Sequence, residues 1–188
     1  MKALSVAKTF ASGLVATAIG GFMVLPGGAA AAEKAPSFTG QAVAAGLTSA
    51  QATWLQSEVD RTMARTGGTQ IAPNRIQLEG AVVNIALPGE QQPRTFGTAA
   101  AACSNSTAPY GYFCAYKNVN YTGSYIAMYR CGKYKLPGWV NNGSYLNNQT
   151  PGTRGFFLNQ YDVLYEGSSA PDSGNPYNWN PIWSIVPC

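Results

Sequence analysis

The chain has 188 residues, with 12 lysine or arginine residues, 8 aspartate or glutamate residues and no histidine. The absence of histidine excludes a Ser-His-Asp triad, a Cys-His pair and a zinc site built on histidine. The charges are scattered along the chain, so they indicate neither a nucleic acid nor an anionic membrane as a partner.

The first 32 residues are typical of a secretory signal peptide. Lys2 and Lys8 form a basic region, an apolar run covers residues 9–25, and alanines at 29–32 suit a signal peptidase. The alternative, a retained membrane anchor, needs a longer uninterrupted run of about 20 apolar residues. Cleavage after Ala32 is therefore predicted, and the protein is expected outside the cell with no membrane association.

A flexible N-terminus is predicted for residues 33–47, which are rich in alanine, glycine and serine. Thr48 and Gln51 then have the spacing of a capping box, which marks the start of a helix. Gly67 ends this helix after Thr66. Its apolar residues recur at helical spacing: Ala52, Leu55, Val59 and Met63.

Two β segments are predicted after the helix. The first spans residues 71–78, the second spans residues 81–87, and Glu79-Gly80 forms the turn between them. Residues 48–92 are therefore predicted to form a helix plus a β-hairpin, which alone could bury little apolar surface. This unit is interpreted as a possible prosegment, with a folding aid and a permanent extra layer as the alternatives.

A domain boundary is predicted near residue 100. Residues 93–102 end in four alanines and are interpreted as a linker, with a second processing site as an alternative role. All eleven tyrosines lie from Tyr110 onward, so the composition changes sharply there. Residues 103–188 are therefore interpreted as a separate domain.

The tyrosine-rich region is predicted to be an all-β sandwich. Short runs of β-branched and aromatic residues alternate with Gly, Pro and Asn turns, and no segment of useful length has helical periodicity. The longest loop is predicted for residues 167–181. The predicted strands are 112–116, 124–131, 154–158, 163–166 and 183–186.

The four cysteines are Cys103, Cys114, Cys131 and Cys188. An even number of cysteines in an exported chain predicts two disulfide bonds, and the count leaves their pairing open. A metal site is the rival interpretation, but the chain has no histidine and no C-x-x-C pair. We therefore expect no metal and no other cofactor.

Residues 103–131 contain the pattern Tyr116-x-x-x-x-Tyr121-x-Gly123. This spacing fits a hairpin that folds back over its own sheet. The first aromatic side chain would cover the fold, and the glycine would permit a positive φ or a close backbone approach.

Three stretches resemble secreted actinobacterial proteins of peptidase inhibitor family 36, the streptomycete metalloproteinase inhibitor type: PYGYFCAYKNVNYTGSYIAMYRCG, LNNQTPGTRGFFLN and IWSIVPC. The resemblance covers residues 103–188, and the segment from LQSEVDR to ALPGE is similar to the region that accompanies such domains. The resemblance implies a disulfide-braced, βγ-crystallin-like Greek-key sandwich. It also implies a monomer that inhibits an extracellular metallopeptidase of the thermolysin type.

The resemblance further implies a disulfide pairing. Cys103 and Cys114 match the early pair of the family, which leaves Cys131 to pair with Cys188, and the other two pairings stay open. The closely spaced cysteines that constrain the reactive loop of the family are missing here. No reactive bond is therefore carried over.

A rigid loop is expected to enter the protease cleft, and residues 133–145 and 167–181 are the candidate loops. The proposed contact residues are Leu136, Trp139 and Val140, because a thermolysin-like cleft should accept a large apolar anchor. For Trp139 the alternative is a position that covers the core.

Other functions stay open as alternatives. Greek keys of this type often bind calcium, but the asparagines at 141–142 and 147–148 fit turns better, and few carboxylates are available. Asp162 and Glu166 could mimic a glycosidase pair, although solvated surface charges are the better interpretation, and no enzyme is expected. A killer-toxin-like antifungal protein and a cell-wall or glycan-binding module are the rival functions.

Overall fold

The structure, a computed structural model, describes residues 37–97, 102–104 and 106–188. Several predictions concern residues outside these ranges: the signal peptide, the first residues of the flexible segment, and most of the alanine run proposed as a processing site. In the described part of the chain, no helix is long and apolar enough to cross a membrane.

Two helices precede eleven strands in the described residues. The helices are α1 (Phe38–Ala44) and α2 (Ser49–Thr66). The strands are β1 (Thr69–Ala72), β2 (Arg75–Leu78), β3 (Ala81–Asn84), β4 (Tyr112–Asn118), β5 (Thr122–Met128), β6 (Tyr134–Lys135), β7 (Asn142–Asn148), β8 (Arg154–Leu158), β9 (Leu164–Ser169), β10 (Asp172–Asn178) and β11 (Ser184–Val186).

The strands form two antiparallel sheets. One sheet has seven strands in the order β1-β2-β3-β5-β4-β7-β10, and the other has four in the order β6-β11-β8-β9. The strands predicted in the tyrosine-rich region are present as β4, β5, β8, β9 and β11. The prediction of a mostly β protein with a short helical segment in front is therefore confirmed.

The capping box and the bounds predicted for α2 are confirmed. The Thr48 hydroxyl accepts the Gln51 N–H at 3.2 Å, and the Gln51 side chain accepts the Thr48 N–H at 3.0 Å. Gly67 ends the helix with a φ of 73°, a conformation that favours a residue without Cβ. Leu55 and Val59 are almost completely buried, so one face of α2 belongs to the core.

The prediction of a flexible segment before α2 is wrong for the described residues 37–47, because they contain α1. The Ser37 hydroxyl caps this helix by accepting the Gly40 N–H at 3.1 Å. Ala42 and Leu47 are buried, and α1 lies against α2. A segment with few large apolar side chains is ordered here because small residues pack closely against a neighbouring helix.

The single β segment predicted for residues 71–78 is two strands. β1 and β2 pair as a hairpin around Pro73-Asn74, since proline has no N–H for a ladder. Asn74 is 1% exposed, and its side-chain amide donates to the carbonyls of Ile85 at 3.1 Å and Arg94 at 2.8 Å. This buried asparagine therefore joins the hairpin turn to the segment that follows β3.

Two further strands contradict the predictions because their sequences are typical of turns. β7 holds asparagines predicted to lie in turns, and β10 lies inside the loop predicted for residues 167–181. β7 is a central strand between β4 and β10. Its Asn147 is 1% exposed and donates to the Ser168 hydroxyl at 3.0 Å. Hydrogen bonding inside the fold therefore outweighs the low strand propensity of asparagine.

The N-terminal hairpin and the tyrosine-rich region share one sheet. β3 pairs with β5 from Ala81–Met128 to Asn84–Tyr125, and the predicted Glu79-Gly80 turn precedes β3, with Gly80 at a φ of 82°. Buried side chains of both regions lie in one hydrophobic core, and the described residues form one compact unit. The boundary predicted near residue 100 therefore does not separate two cores.

Aromatic side chains fill the space between the two sheets. The ring of Phe157, from the four-stranded sheet, lies 4.7 Å from that of Tyr177 and 5.0 Å from that of Tyr145. Trp179 lies 4.9 Å from Tyr177, and its indole N–H donates to the Tyr116 carbonyl at 2.8 Å. Such ring pairs contribute roughly 0.5–1.5 kcal/mol beyond the area that they bury.

Replacement of Leu55 by alanine is expected to lower the free energy of unfolding by about 2–5 kcal/mol. Leu55 is 1% exposed, so the change leaves a cavity in the shared core. Trp54→Ala is the control, because Trp54 is 37% exposed and its loss should cost less than about 1 kcal/mol. Urea unfolding followed by circular dichroism measures both. If the sheets of the Leu55→Ala protein unfold at the wild-type urea concentration, α2 is not part of their folding unit.

Alkaline pH is expected to unfold the protein through its buried tyrosines. Burial raises the pKa of Tyr125 to about 12, and it also raises the pKa of Tyr116, Tyr145 and Tyr177. A tyrosine in an unfolded chain titrates near pH 10. The stability from these groups is therefore complete below about pH 10 and is lost as the pH rises through 12. Tyrosinate absorbance recorded with circular dichroism should show them ionising only as the sheets unfold, and ionisation in intact sheets would contradict this.

Candidate functional site

The Tyr116, Tyr121 and Gly123 motif lies inside the fold. Tyr116 is fully buried, and its ring meets that of Tyr121 edge-on at 5.7 Å. Gly123 has a φ of 78°, and a Cβ there would lie 2.6 Å from the Asn118 side-chain nitrogen. The motif therefore shapes the β4–β5 hairpin, with Tyr121 half-buried beside it.

Both disulfide bonds implied by the family resemblance are present. Cys103 is bonded to Cys114, and Cys131 is bonded to Cys188. Cys103 and Cys114 are completely buried, and none of the four is a free thiol. The cysteines therefore brace the sheets and supply no nucleophile.

Two of the three predicted protease-contact residues are buried, so that part of the prediction is wrong. Leu136 is 5% exposed and Trp139 is 6% exposed, whereas Val140 is 61% exposed. The Trp139 ring lies 6.0 Å from the ring of Trp179, and both side chains belong to the hydrophobic core. Val140 alone cannot anchor this loop in a cleft.

A different segment exposes large apolar side chains. Residues 159–165, which we call the hairpin tip, comprise the turn between β8 and β9 and the first two residues of β9. Tyr161 at its apex is 76% exposed, and several neighbours are more than half exposed. These neighbours are Val163, Leu164, Tyr165 and, directly before β11, Trp183. Isolated exposed apolar residues are ordinary, but a contiguous group marks a candidate interaction site.

Trp183 lies beside the start of the hairpin tip. Its N–H donates to the Leu158 carbonyl at 2.8 Å, and its carbonyl accepts the Leu136 N–H at 2.9 Å. Its backbone is therefore held from both sides while its indole is 59% exposed. The four-stranded sheet thus exposes two neighbouring apolar segments, the hairpin tip and Trp183, to solvent.

Hydrogen bonds within the hairpin tip hold its backbone in one conformation. The Asn159 side-chain oxygen accepts the N–H of Tyr161 at 2.9 Å and that of Val163 at 3.1 Å. The Asn159 N–H donates to the Val163 carbonyl at 2.9 Å. The Asn159 carbonyl accepts the Asp162 N–H at 3.0 Å. The exposed side chains are therefore presented from an ordered turn.

A carboxylate lies in the middle of the hairpin tip. Asp162 has a φ of 60° and a side chain that is 59% exposed. Its Oδ2 accepts a hydrogen bond from the Lys133 ammonium at 2.8 Å. Ion pairs that are open to water contribute little, about 0–1 kcal/mol, so a partner could displace Lys133 at small cost. Tyr161 and Val163 flank this carboxylate.

The carboxylates considered as a glycosidase pair are engaged separately. Asp162 meets Lys133, whereas Glu166 accepts the Tyr177 hydroxyl at 3.1 Å. Nearness to Glu166 adds to burial in raising the pKa of Tyr177. The two side chains therefore serve different contacts.

A second surface feature is a cleft of about 470 Å³ whose lining includes Asn147, Asn148 and Asp172. Asp172 lies in it and accepts the Tyr145 hydroxyl at 2.8 Å. Asn147 and Asn148, considered as calcium ligands from the sequence, donate to Ser168 and to the Ala108 carbonyl. The described residues contain no group of three or more His, Cys, Asp or Glu side chains that could hold a metal ion.

No protein-family model, curated protein or solved structure matches this chain.

The sequence predicts a strand at residues 163–166, but it does not predict that the side chains of the hairpin tip are exposed. The available signal was the run Tyr161-Asp162-Val163-Leu164-Tyr165, in which a charge interrupts large apolar residues directly after Asn159. An asparagine before such a run favours a turn. Exposure of the run, however, depends on its place at the edge of the four-stranded sheet.

Replacement of Asn159 by alanine is expected to loosen the hairpin tip. The change removes the acceptor for two backbone N–H groups, and each lost hydrogen bond costs about 0.5–1.5 kcal/mol. Amide hydrogen exchange at Tyr161 and Val163 should therefore become faster by about three- to tenfold. Asn159→Asp keeps an acceptor oxygen and should exchange like the wild type. Equal exchange rates in the two variants would show that the side chain does not order the turn.

Proposed function

We propose that this protein is a secreted inhibitor of extracellular metallopeptidases, with the hairpin tip as its contact segment. The observation that carries the proposal is an ordered, exposed turn in which the Asp162 carboxylate lies between large apolar side chains. Apolar side chains can fill the pockets of a peptidase cleft, and a carboxylate is a ligand for zinc.

Rigidity of the hairpin tip supports inhibition. A segment that is ordered before binding loses little conformational entropy in the complex. Four hydrogen bonds between Asn159 and residues 161–163 already hold the turn. The flanking strands β8 and β9 hold its two ends as paired neighbours in one sheet.

The Asp162 carboxylate supports a metallopeptidase as the target. A catalytic zinc has three protein ligands and one position open to water or substrate. Asp162 would leave Lys133, with which it forms an exposed ion pair, and approach that open position. A serine peptidase has no catalytic metal, so Asp162 would gain no such contact there.

The proposal extends to the family and the compartment. We propose membership of peptidase inhibitor family 36, with a crystallin-like Greek-key arrangement of the strands and action as a monomer without a cofactor. Two disulfide bonds suit the oxidising conditions outside the cell. The role is one of binding rather than catalysis.

Titration of thermolysin and of a serine peptidase with residues 33–188 tests the proposal. Wild-type protein should inhibit the metallopeptidase at micromolar concentration or below and leave the serine peptidase active. Asp162→Asn should weaken inhibition by about 10- to 100-fold, because a charged contact is lost while the shape of the side chain is kept. Asp60→Asn is the matched control, since Asp60 lies on the exposed face of α2.

Zinc-free peptidase separates the metal contact from the rest of the interface. Wild-type protein and Asp162→Asn should bind the zinc-free enzyme with equal affinity. If Asp162→Asn inhibits as well as the wild type, the carboxylate does not meet the zinc. If wild-type protein inhibits no metallopeptidase at micromolar concentration, the proposed function is wrong.

Glycan binding is a second candidate, favoured by the exposed rings of Tyr161, Tyr165 and Trp183. Aromatic faces of this kind suit sugar rings. Retention of the protein on insoluble cell wall, lost in Trp183→Ala and kept in Asp162→Asn, would distinguish this function from inhibition.

A further inference from the structure

The edges of the two sheets differ in how they are protected. An edge strand exposes unpaired N–H and C=O groups, and most proteins blunt such edges with proline, lysine, short length or an irregular register. β1 has four residues and is followed by Pro73. β10 contains Pro176 and a shift in register, and β6 has only two residues, one of them Lys135.

β9 is the most exposed of these four edges. It has six residues, Leu164–Ser169, without proline or lysine, and it pairs only with β8. Its register shift lies at its start, between Leu164 and Glu166, and residues 166–169 pair regularly with β8. Every β9 residue except Ser168 is exposed. A long, exposed edge strand with apolar residues is a template for pairing with another strand.

The pairing of β8 with β9 indicates which backbone N–H and C=O groups of β9 point away from β8. The Ala170 N–H donates to the Thr153 carbonyl at 2.9 Å, so Ala170 faces β8. Successive residues of an antiparallel strand alternate in direction, so Ser168 also directs its N–H and C=O towards β8. Gly167 and Ser169 therefore direct theirs away from the sheet.

Gly167 is not required to be glycine by the fold itself. The φ angle of Gly167 is not positive, so its backbone conformation is open to other residues. A Cβ at this position would meet nothing closer than the Gly155 carbonyl oxygen at 3.5 Å, which is ordinary van der Waals contact. Glycine inside a strand often marks a place where another backbone approaches closely. Gly167 thus points independently to a partner strand at the β9 edge.

We propose that the outer edge of β9 pairs, by strand addition, with an extended strand that lines the peptidase cleft. This inference rests on the proposed function and specifies how the inhibitor is held. The hairpin tip includes the first two residues of β9, so the tip and the rest of the strand are continuous. When the tip enters the cleft, the free N–H and C=O groups of Gly167 and Ser169 therefore lie along its wall. Main-chain hydrogen bonds then add affinity that does not depend on side chains.

Proline at position 167 tests the pairing, with alanine as the matched control. Gly167→Ala adds a methyl group and keeps the N–H, so it is the reference from which the effect of losing the N–H is measured. Gly167→Pro removes the outward N–H and leaves the inward groups of Ser168 in the ladder. Its inhibition constant should be about three- to tenfold weaker than that of Gly167→Ala. Thermal unfolding of both variants confirms that the sheets are retained.

Amide hydrogen exchange on the wild-type complex gives a second, independent measurement. Exchange at Gly167 and Ser169 should be fast in the free protein and at least about tenfold slower in the complex. Equal inhibition by the two variants, or unchanged exchange in a complex that inhibits, overturns strand addition and leaves the proposed function standing. Absence of inhibition by the wild type overturns both. A wild-type dimer that Gly167→Pro separates would show that the partner is a second copy, which also overturns the proposal.

Discussion

Pairing between β3 and β5 is the constraint on which the rest of the structure depends. It places the N-terminal hairpin in the same sheet as the tyrosine-rich strands and converts β5 from an edge into an interior strand. It also brings α2 over the core, where a Cβ on Gly138 would collide with the Arg65 guanidinium. The loop that contains Leu136 and Trp139 is therefore held against α2, which explains why these side chains face inward.

The aromatic residues fall into two groups: some fill the core between the sheets, and others are exposed on the surface. Between the sheets, Phe157, Tyr177 and Trp179 pack ring against ring, so the bulk of the core comes from side chains that reach across from both layers. Along β9 every residue except Ser168 is exposed, and the ring of Tyr165 meets water instead. Seven large apolar side chains of the described residues are more than half exposed. Five of them belong to the hairpin tip and Trp183, and the other two are Tyr110 and Val140.

Local signals in the sequence predict local structure well in this chain. Thr48, Gln51 and Gly67 specify where α2 begins and ends, because each acts through neighbours within one turn. Asn147 shows where such reasoning stops: its type favours a turn, but a partner hydroxyl 21 residues later keeps it in a central strand. The same limit applies to the site, since Trp139 and Tyr161 are both large aromatic residues and only tertiary packing decides which is buried.

If the hairpin tip enters a peptidase cleft as proposed, its attachment at both ends to β8 and β9 changes the outcome of a cut within it. Hydrolysis of an ordinary substrate separates two fragments, and their release makes the reaction effectively irreversible. Here the newly formed carboxylate and amine would stay side by side, because each belongs to a strand paired with the other. The cut ends would gain little translational freedom, so rejoining could compete with hydrolysis and the enzyme would remain occupied.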